Sequence, residues 1–356
     1  MKKLLPLITI ITLAATQVKA QDDGIAQLLK TAPGDAGKLI GAYANPLFKG
    51  LGTGLNNGWT NTAKTKGLLG FELRVSASGV FVPTADKTFD VTRIGLSSSV
   101  RPVQGSPSIT PTIGGSNDTK PATLGIYSNI AGTEAEVDRF TLPARVTPII
   151  PAPQLQLTVG LIHHTDVTIR AIPKIKAGDD VGSIGMIGFG FKHNIMEDIF
   201  GGVGGKLVPF DLAIAAGYTR INYELPVQVR PSSGKVPEPG SVGRTDFSTQ
   251  RLDGHFNGFN VQAIFSKKLL AFTPFAALGY NTSKTDVGLY GNFPVTNGAA
   301  TYTVYTDPVR INDKSNGINS FKVDAGFQLD LAFFKFYASG SLGNYKSVTT
   351  GIGLGL

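Results

Sequence analysis

The sequence predicts an all-β protein, a transmembrane antiparallel β-barrel of about 14 strands with a short helical segment at its N-terminal side. Three observations lead there. First, segments recur in which one face is greasy and the other small or polar. That is the period of a strand, whose successive side chains point to opposite faces. Phe210, Leu212, Ile214, Ala216 and Tyr218 share one such face, and Asp211, Ala213, Ala215, Gly217 and Thr219 the other. Second, the chain opens as a secretory leader does. Lys2 and Lys3 precede an apolar run from Leu4 to Ala15, and Val18-Lys19-Ala20 offers a cleavage site before Gln21. Third, no later stretch approaches the roughly 18 uninterrupted apolar residues of a membrane helix, which argues against a helical inner-membrane protein.

Composition narrows the function classes. The 44 glycines are about twice the usual share, and charged residues make up only 16%, below the usual ~25%. A lipid-facing wall carries less charge than a soluble surface. Loss of Lys2, Lys3 and Lys19 with the leader lowers the formal charge from +8 to +5. No dense basic run with interleaved aromatics is present, so nucleic-acid binding is not expected. Cysteine is absent, which excludes disulfides, thiolate metal sites and a lipid-bearing cysteine.

The organisation divides at residues 1–20 (leader), 21–62 (helical segment) and 63–356 (barrel). In the second part, Gly24 to Thr31 and Asp35 to Phe48 have helical spacing, with Pro33 and Pro46 as punctuation and an irregular Gly- and Asn-rich stretch from Gly50 to Trp59. Two placements fit it. It is either a cap on a periplasmic surface or a plug inside the barrel, with Tyr43, Asn45, Pro46 and Trp59 as the candidate plug residues.

Strands begin near Gly67. Leu69, Phe71, Leu73 and Val75 alternate with Gly70, Glu72, Arg74 and Ser76, and Phe89 to Leu96 is read as the return strand. Residues 97–122 form a long loop. Thr123 to Ile130 and Glu136 to Leu142 are weaker candidates for the wall. Gln154 to Leu161 and Val167 to Ala171 read as a hairpin through His163-His164-Thr165-Asp166. Ile187, Phe189 and Phe191 follow, then a helical turn within His193 to Phe200. After the strand through Phe210, Leu225 to Gln250 is a second long loop. Phe259 to Phe265 and Phe275 to Tyr290 are joined by a link at Lys267-Lys268. Thr301 to Thr306 extends the wall within a third loop. Phe321 to Leu331, Phe334 to Leu342 and Val348 to Leu356 close the chain. Links alternate short and long, as in outer-membrane barrels. Lys322, Asp324 and Asp330 need water on their side, and Gln154, Gln156 and Arg170 join them as candidate lumen-lining residues. Aromatics at strand ends (Phe71, Phe191, Tyr218, Phe265, Tyr280, Phe334, Tyr337) fit interfacial girdles.

Gly41-Ala42-Tyr43-Ala44-Asn45-Pro46, ahead of a Gly-rich stretch, and the segment Gly188 to Tyr218 carry a resemblance. The chain resembles uncharacterised outer-membrane β-barrel proteins of Gram-negative bacteria and, more distantly, the FadL-like transporters of hydrophobic compounds, which carry an Asn-Pro element in an N-terminal plug. Leu47-Phe48 stand where that family tends to have small residues. The resemblance implies an outer-membrane location, outer-membrane lipid and the barrel-assembly machinery as partners, and a small hydrophobic ligand.

Other motifs carry less. Gly201 to Lys206 lacks the Gly spacing and the following Ser or Thr of a phosphate loop. His163, His164 and Asp166 have metal-binding side chains, but adjacent strand positions face apart. No Gly-x-Ser-x-Gly element is present, and Glu72, Asp324 and Asp330 have no spacing that makes a glycosidase pair. The expected function is therefore a channel or transporter for small molecules, with no cofactor and no catalytic residues. A soluble secreted β-rich binding protein, or a structural surface barrel, is the alternative.

Overall fold

The computed structural model describes residue 28 and residues 31–355, except 131, 179–181, 197, 202–207, 232, 297–299 and 313–315. The expected leader over residues 1–20 and Leu356 lie outside the described residues. Ten strands form a closed antiparallel barrel: β1 (Phe71–Phe81), β2 (Ile149–Gly160), β3 (Thr165–Gly178), β4 (Gly182–Asn194), β5 (Asp211–Pro226), β6 (Arg251–Ser266), β7 (Phe272–Tyr290), β8 (Asn319–Leu331), β9 (Phe334–Leu342) and β10 (Ser347–Gly355). Each pairs with its sequence neighbour, and β1 pairs with β10 from Glu72↔Gly355 to Val80↔Ser347, so no edge remains. One further strand, Val309–Ile311, lies along the far end of β7.

The expected count of 14 is corrected to ten. Phe89 to Leu96 is not a return strand: only Thr88–Asp90 is extended, pairing with Ile109–Pro111. Thr123–Ile130 and Thr133–Thr141 form a hairpin with Val100–Pro102, in a sheet separate from the barrel. Thr301–Thr306 pairs with Asn292–Thr296 in another. These segments alternate as wall strands do, but they pair among themselves above the wall.

The two ends of the barrel differ. The turns after β2, β6 and β8 are short and lie at the end where β1 starts and β10 finishes. The connections over residues 82–148, 227–250 and 291–318, with their small sheets, lie at the other. These are called below the short-turn end and the long-loop end.

The wall is inverted relative to a soluble protein, but only over the half nearer the short turns. Along β5, Ile214 and Tyr218 point outward and are exposed, and Ala213, Ala215 and Thr219 point inward and are buried. Beyond Tyr218 the character reverses. Arg220 and Asn222 are exposed on the outer face, whereas Ile221 and Leu225 are buried on the inner one. β6 reverses at Phe259 and β7 at Tyr280, beyond which Asn257 and Lys284 occupy the outer face. The reversal points are neighbours in the ladder: Tyr218 pairs with Phe189 on one side and Phe259 on the other. Tyr280 pairs with Phe321, their ring centroids 5.2 Å apart. A second aromatic row near the short turns includes Phe71, Phe265, Phe272 and Phe334. Tyr337 is not part of either row; it points inward beneath Arg74, whose guanidinium lies 4.1 Å from its ring centroid.

One long helix of the described residues, α1 (Pro33–Leu55), runs inside the barrel against β1, β2, β6 and β7. Helical spacing over Gly24 to Thr31 and Asp35 to Phe48 was expected, with Pro33 and Pro46 as punctuation and irregular chain from Gly50; of the first piece only Leu28 and Thr31 are described. Instead Pro46 lies within α1 and the helix continues to Leu55. Packing on all sides outweighs the loss of one backbone donor and the poor helix propensity of glycine. In its first two-thirds α1 buries Ala36, Leu39, Ile40, Ala44 and Phe48 in an apolar core with loop residues such as Leu124 and Phe140 and the inner faces of the reversed strands. Toward its end it must be thin. A Cβ on Gly50 would lie 2.6 Å from Ile150, one on Gly54 would collide with Ala152, and one on Gly52, across the helix, with Ser283. Glycine lets the helix pass between β2 and β7.

Candidate functional site: the occupied lumen

A helix end leaves its last carbonyls without intrahelical donors and carries partial negative charge. α1 ends in the middle of the barrel, away from bulk water, and the wall supplies the donors. Gln154 Nε2 donates to Gly54 O at 2.9 Å. Arg170 donates through Nη1 to Leu55 O and through Nη2 to Asn57 O, each at 2.8 Å. Lys322 Nζ donates to Asn56 O at 3.0 Å, and Asn260 Nδ2 to the same oxygen at 3.2 Å. Asn57 returns a bond to Ser347 Oγ at 2.8 Å. Two cations thus sit where a helix C-terminus favours them.

Arg170 is fully buried, at 0% exposure, with no carboxylate of the described residues on it. It also donates to Gln156 Oε1 and, at 3.4 Å, to Thr219 Oγ1, and the ring of Trp59 lies 3.8 Å from its guanidinium carbon, a cation–π arrangement. Trp59 in turn fills a notch in the wall. Gly190 and Gly217 are register partners on β4 and β5. A Cβ on Gly190 would lie 2.6 Å from the indole, and one on Gly217 would overlap it. Gly190, which alternates with Phe189 and Phe191, and Gly217 make room for the one tryptophan of the chain.

The structure places the six candidate lumen residues on inner faces, in two groups. Gln154, Gln156, Arg170 and Lys322 hold the chain over residues 54–59. Asp324 pairs with Lys322 at 3.0 Å. Asp330 stands apart near the short turns, 4.0 Å from Lys335. Of the four residues singled out in the N-terminal segment, Trp59 joins the first group. Tyr43 is buried higher up, its hydroxyl donating to Ala144 O at 2.8 Å and its carbonyl accepting from Ile113 N at 3.0 Å. Asn45 and Pro46 lie on α1 beside it.

Below Trp59 the lumen opens into a cavity of about 420 Å³ at the short-turn end. It contains a cluster of charges that spacing in the sequence does not bring together. Glu72, 2% exposed, receives Lys66 at 2.6 Å, Arg74 at 2.7 Å and Lys335 at 3.3 Å. Lys192 pairs with Asp166 at 3.1 Å. Burial, and then the neighbouring Lys335 and Lys192 working against Glu72, push the Lys66 ammonium down to about 8. The signal was present in the inward positions Glu72 and Arg74, but Lys66 and Lys335 join them only through folding.

His163 and His164 lie in the turn between β2 and β3, and no group of three or more metal-binding side chains occurs among the described residues. No described helix is long and apolar enough to cross a membrane, which leaves β-barrels out of account.

The model of a family of unknown function, DUF6588, matches residues 1–356. A comparison with curated proteins finds no match. Among solved structures, the chain is similar to Ail, the attachment invasion locus protein of Yersinia pestis, at 10% identity over 81% of this chain and 98% of that one, with a TM-score of 0.26. It is similar to the outer membrane protease OmpT of Escherichia coli at 8% identity over 85% and 100%, TM-score 0.32. With the toluene transporter TbuX of Ralstonia pickettii the values are 8%, 87% and 97%, TM-score 0.22.

Proposed function

We propose that this chain, which belongs to the DUF6588 family of unknown function, is an outer-membrane barrel whose lumen is occupied by its own N-terminal segment and which passes small solutes when that segment shifts. The observation that carries the membrane part is the reversal along β5, β6 and β7. From Phe272 to Tyr280 the outer face of β7 is apolar and closed by aromatics. That length matches the roughly 9–11 residues a tilted membrane strand needs. Past it the face turns polar, and the interior turns apolar at Ile221 and Leu225 of β5 and at Val287 and Leu289 of β7, as in a protein surrounded by water. A soluble barrel has no reason to change its outer face halfway up. In this reading the short turns face the periplasm and the long loops the exterior. Membrane lipid covers the apolar belt, and the assembly machinery inserts the chain.

Passage through the lumen is the second part. The wall around residues 54–59 is polar and holds the segment by hydrogen bonds to main-chain carbonyls, which water can replace, whereas the upper part of α1 is seated in an apolar core. The shift is therefore assigned to the segment from Gly54 to Lys66. The polar wall favours a hydrophilic solute over the hydrophobic ligand of the FadL-like transporters. Membrane fractionation with heated and unheated gel samples tests the first part: the protein is expected in the outer membrane, with a mobility shift on boiling. Recovery from the soluble periplasm without detergent would instead establish a soluble binding protein. Liposome swelling with sugars of graded size tests the second.

A further inference from the structure

We propose that the cavity at the short-turn end is a binding site for a small multivalent oxyanion. The site goes beyond the passage reading and belongs to the resting position of the N-terminal segment, which supplies Trp59, Lys64 and Lys66 to its lining.

Charge accounting leads to it. Three carboxylates border the cavity: Glu72, Asp166 and Asp330. Six cations border it: Lys64, Lys66, Arg74, Lys192, Lys268 and Lys335. The excess is concentrated on one carboxylate. Glu72 is the 2.6–3.3 Å partner of Lys66, Arg74 and Lys335, so three positive charges converge on one negative charge. Lys335 is 4.0 Å from Asp330, which also has Lys268 at 3.9 Å. Asp330 therefore does not balance the group. Arg74 is 5% exposed and is held in place by Gly58 O and the face of Tyr337. Uncompensated charge in a partly water-excluded space is costly, and an anion with two or more charged oxygens would offset it while bridging several donors.

Size and neighbourhood fit the same ligand. A volume of about 420 Å³ falls within the range of small-molecule sites. Hydroxyls at Thr60, Thr62, Thr158 and Thr168 add neutral polar groups to the lining. Trp59, the one tryptophan of the chain, is at the roof and its Nε1 is buried without a partner. Its emission is a local reporter.

The test titrates the full-length chain, folded in detergent, with sodium pyrophosphate and, separately, citrate, at ionic strength held constant with sodium chloride. Trp59 emission and calorimetric heat are both read. A saturable response to one or both ions is expected, with Lys335→Gln and Lys66→Gln each weakening it roughly tenfold or more. A response to both marks a general oxyanion site; a response to pyrophosphate alone marks a phosphate-type site. Retention of the heat-shifted gel mobility shows that a variant still folds. No saturable response, the same response to chloride, or unchanged affinity in both variants would overturn the proposal. Liposome swelling is scored independently, so a barrel that binds but does not conduct, or conducts but does not bind, separates this site from the passage reading.

Discussion

Arg170 shows how much one side chain does here and how little of it could be read in advance. Its place on the inner face follows from the alternation of Val167, Ile169 and Ala171 with Thr168 and Arg170. Its partners do not follow, since Leu55 is 115 positions away. Replacing it as Arg170→Met takes the donor from the buried Asn57 O and leaves Leu55 O with only the longer bond from Thr219 Oγ1 at 3.5 Å. This should cost roughly 2–4 kcal/mol of stability, seen as a lower denaturant midpoint by Trp59 emission. Trp59 is a candidate plug residue at the end of a Gly- and Asn-rich stretch, but its notch is not visible in the sequence, because Gly190 and Gly217 become neighbours only when β4 and β5 pair. Gly217→Val should expel the ring, shifting Trp59 emission to longer wavelength; an unchanged spectrum would contradict the notch. Lys66 supplies a pH dependence. Held down to about 8 by burial and by Lys335 and Lys192, with Glu72 opposing them, it is charged below that value and neutral above it. Pyrophosphate binding in the cavity should therefore weaken as pH rises through about 8, and Lys66→Gln should abolish that step. Arg74 stays protonated throughout.

Strands show their faces in the sequence more readily than their company. The inward and outward sets of β2, β5, β6 and β8 follow directly from the period of two, because that period is a property of extended backbone itself. The reversal at Tyr218 is legible too, once Arg220 and Asn222 are seen on the face of Ile214. It yields a paired test on one strand. Ile214→Arg places a charge in the apolar belt and should cost about 2–4 kcal/mol. Asn222→Arg, on the same face above the aromatic row, should be near neutral. Folding yield into detergent, read by gel mobility, distinguishes them, and equal tolerance would contradict the belt. The helix was harder to place. Pro46 and the run Gly50, Gly52, Gly54 argue locally for a break, and only the narrow space between Ile150, Ala152 and Ser283 explains why thin residues serve a helix there.

The barrel as a whole can be tested for motion because it has no native cysteine. A Cβ on Gly41 would lie 4.0 Å from Ile311 Cγ2, close to disulfide range. A cross-link between Gly41→Cys and Ile311→Cys fixes the upper helix. If solute passage needs only the segment below Gly54 to shift, liposome swelling should survive oxidation. Loss of swelling on oxidation and its recovery on reduction would mean that the entire helix moves. Local chemistry in the chain was enough to specify which faces are greasy, where polar side chains need water, and that helix precedes strand. Those are short-range properties of side-chain period and composition. The number of staves, the closure of β1 onto β10, the exclusion of the hairpin over 123–141 from the wall, and the seating of α1 within the lumen came from folding. Each depends on which distant backbone donors and acceptors meet, and peptide groups are alike at every position. The choice among partners is therefore made by register, closure and the space left inside.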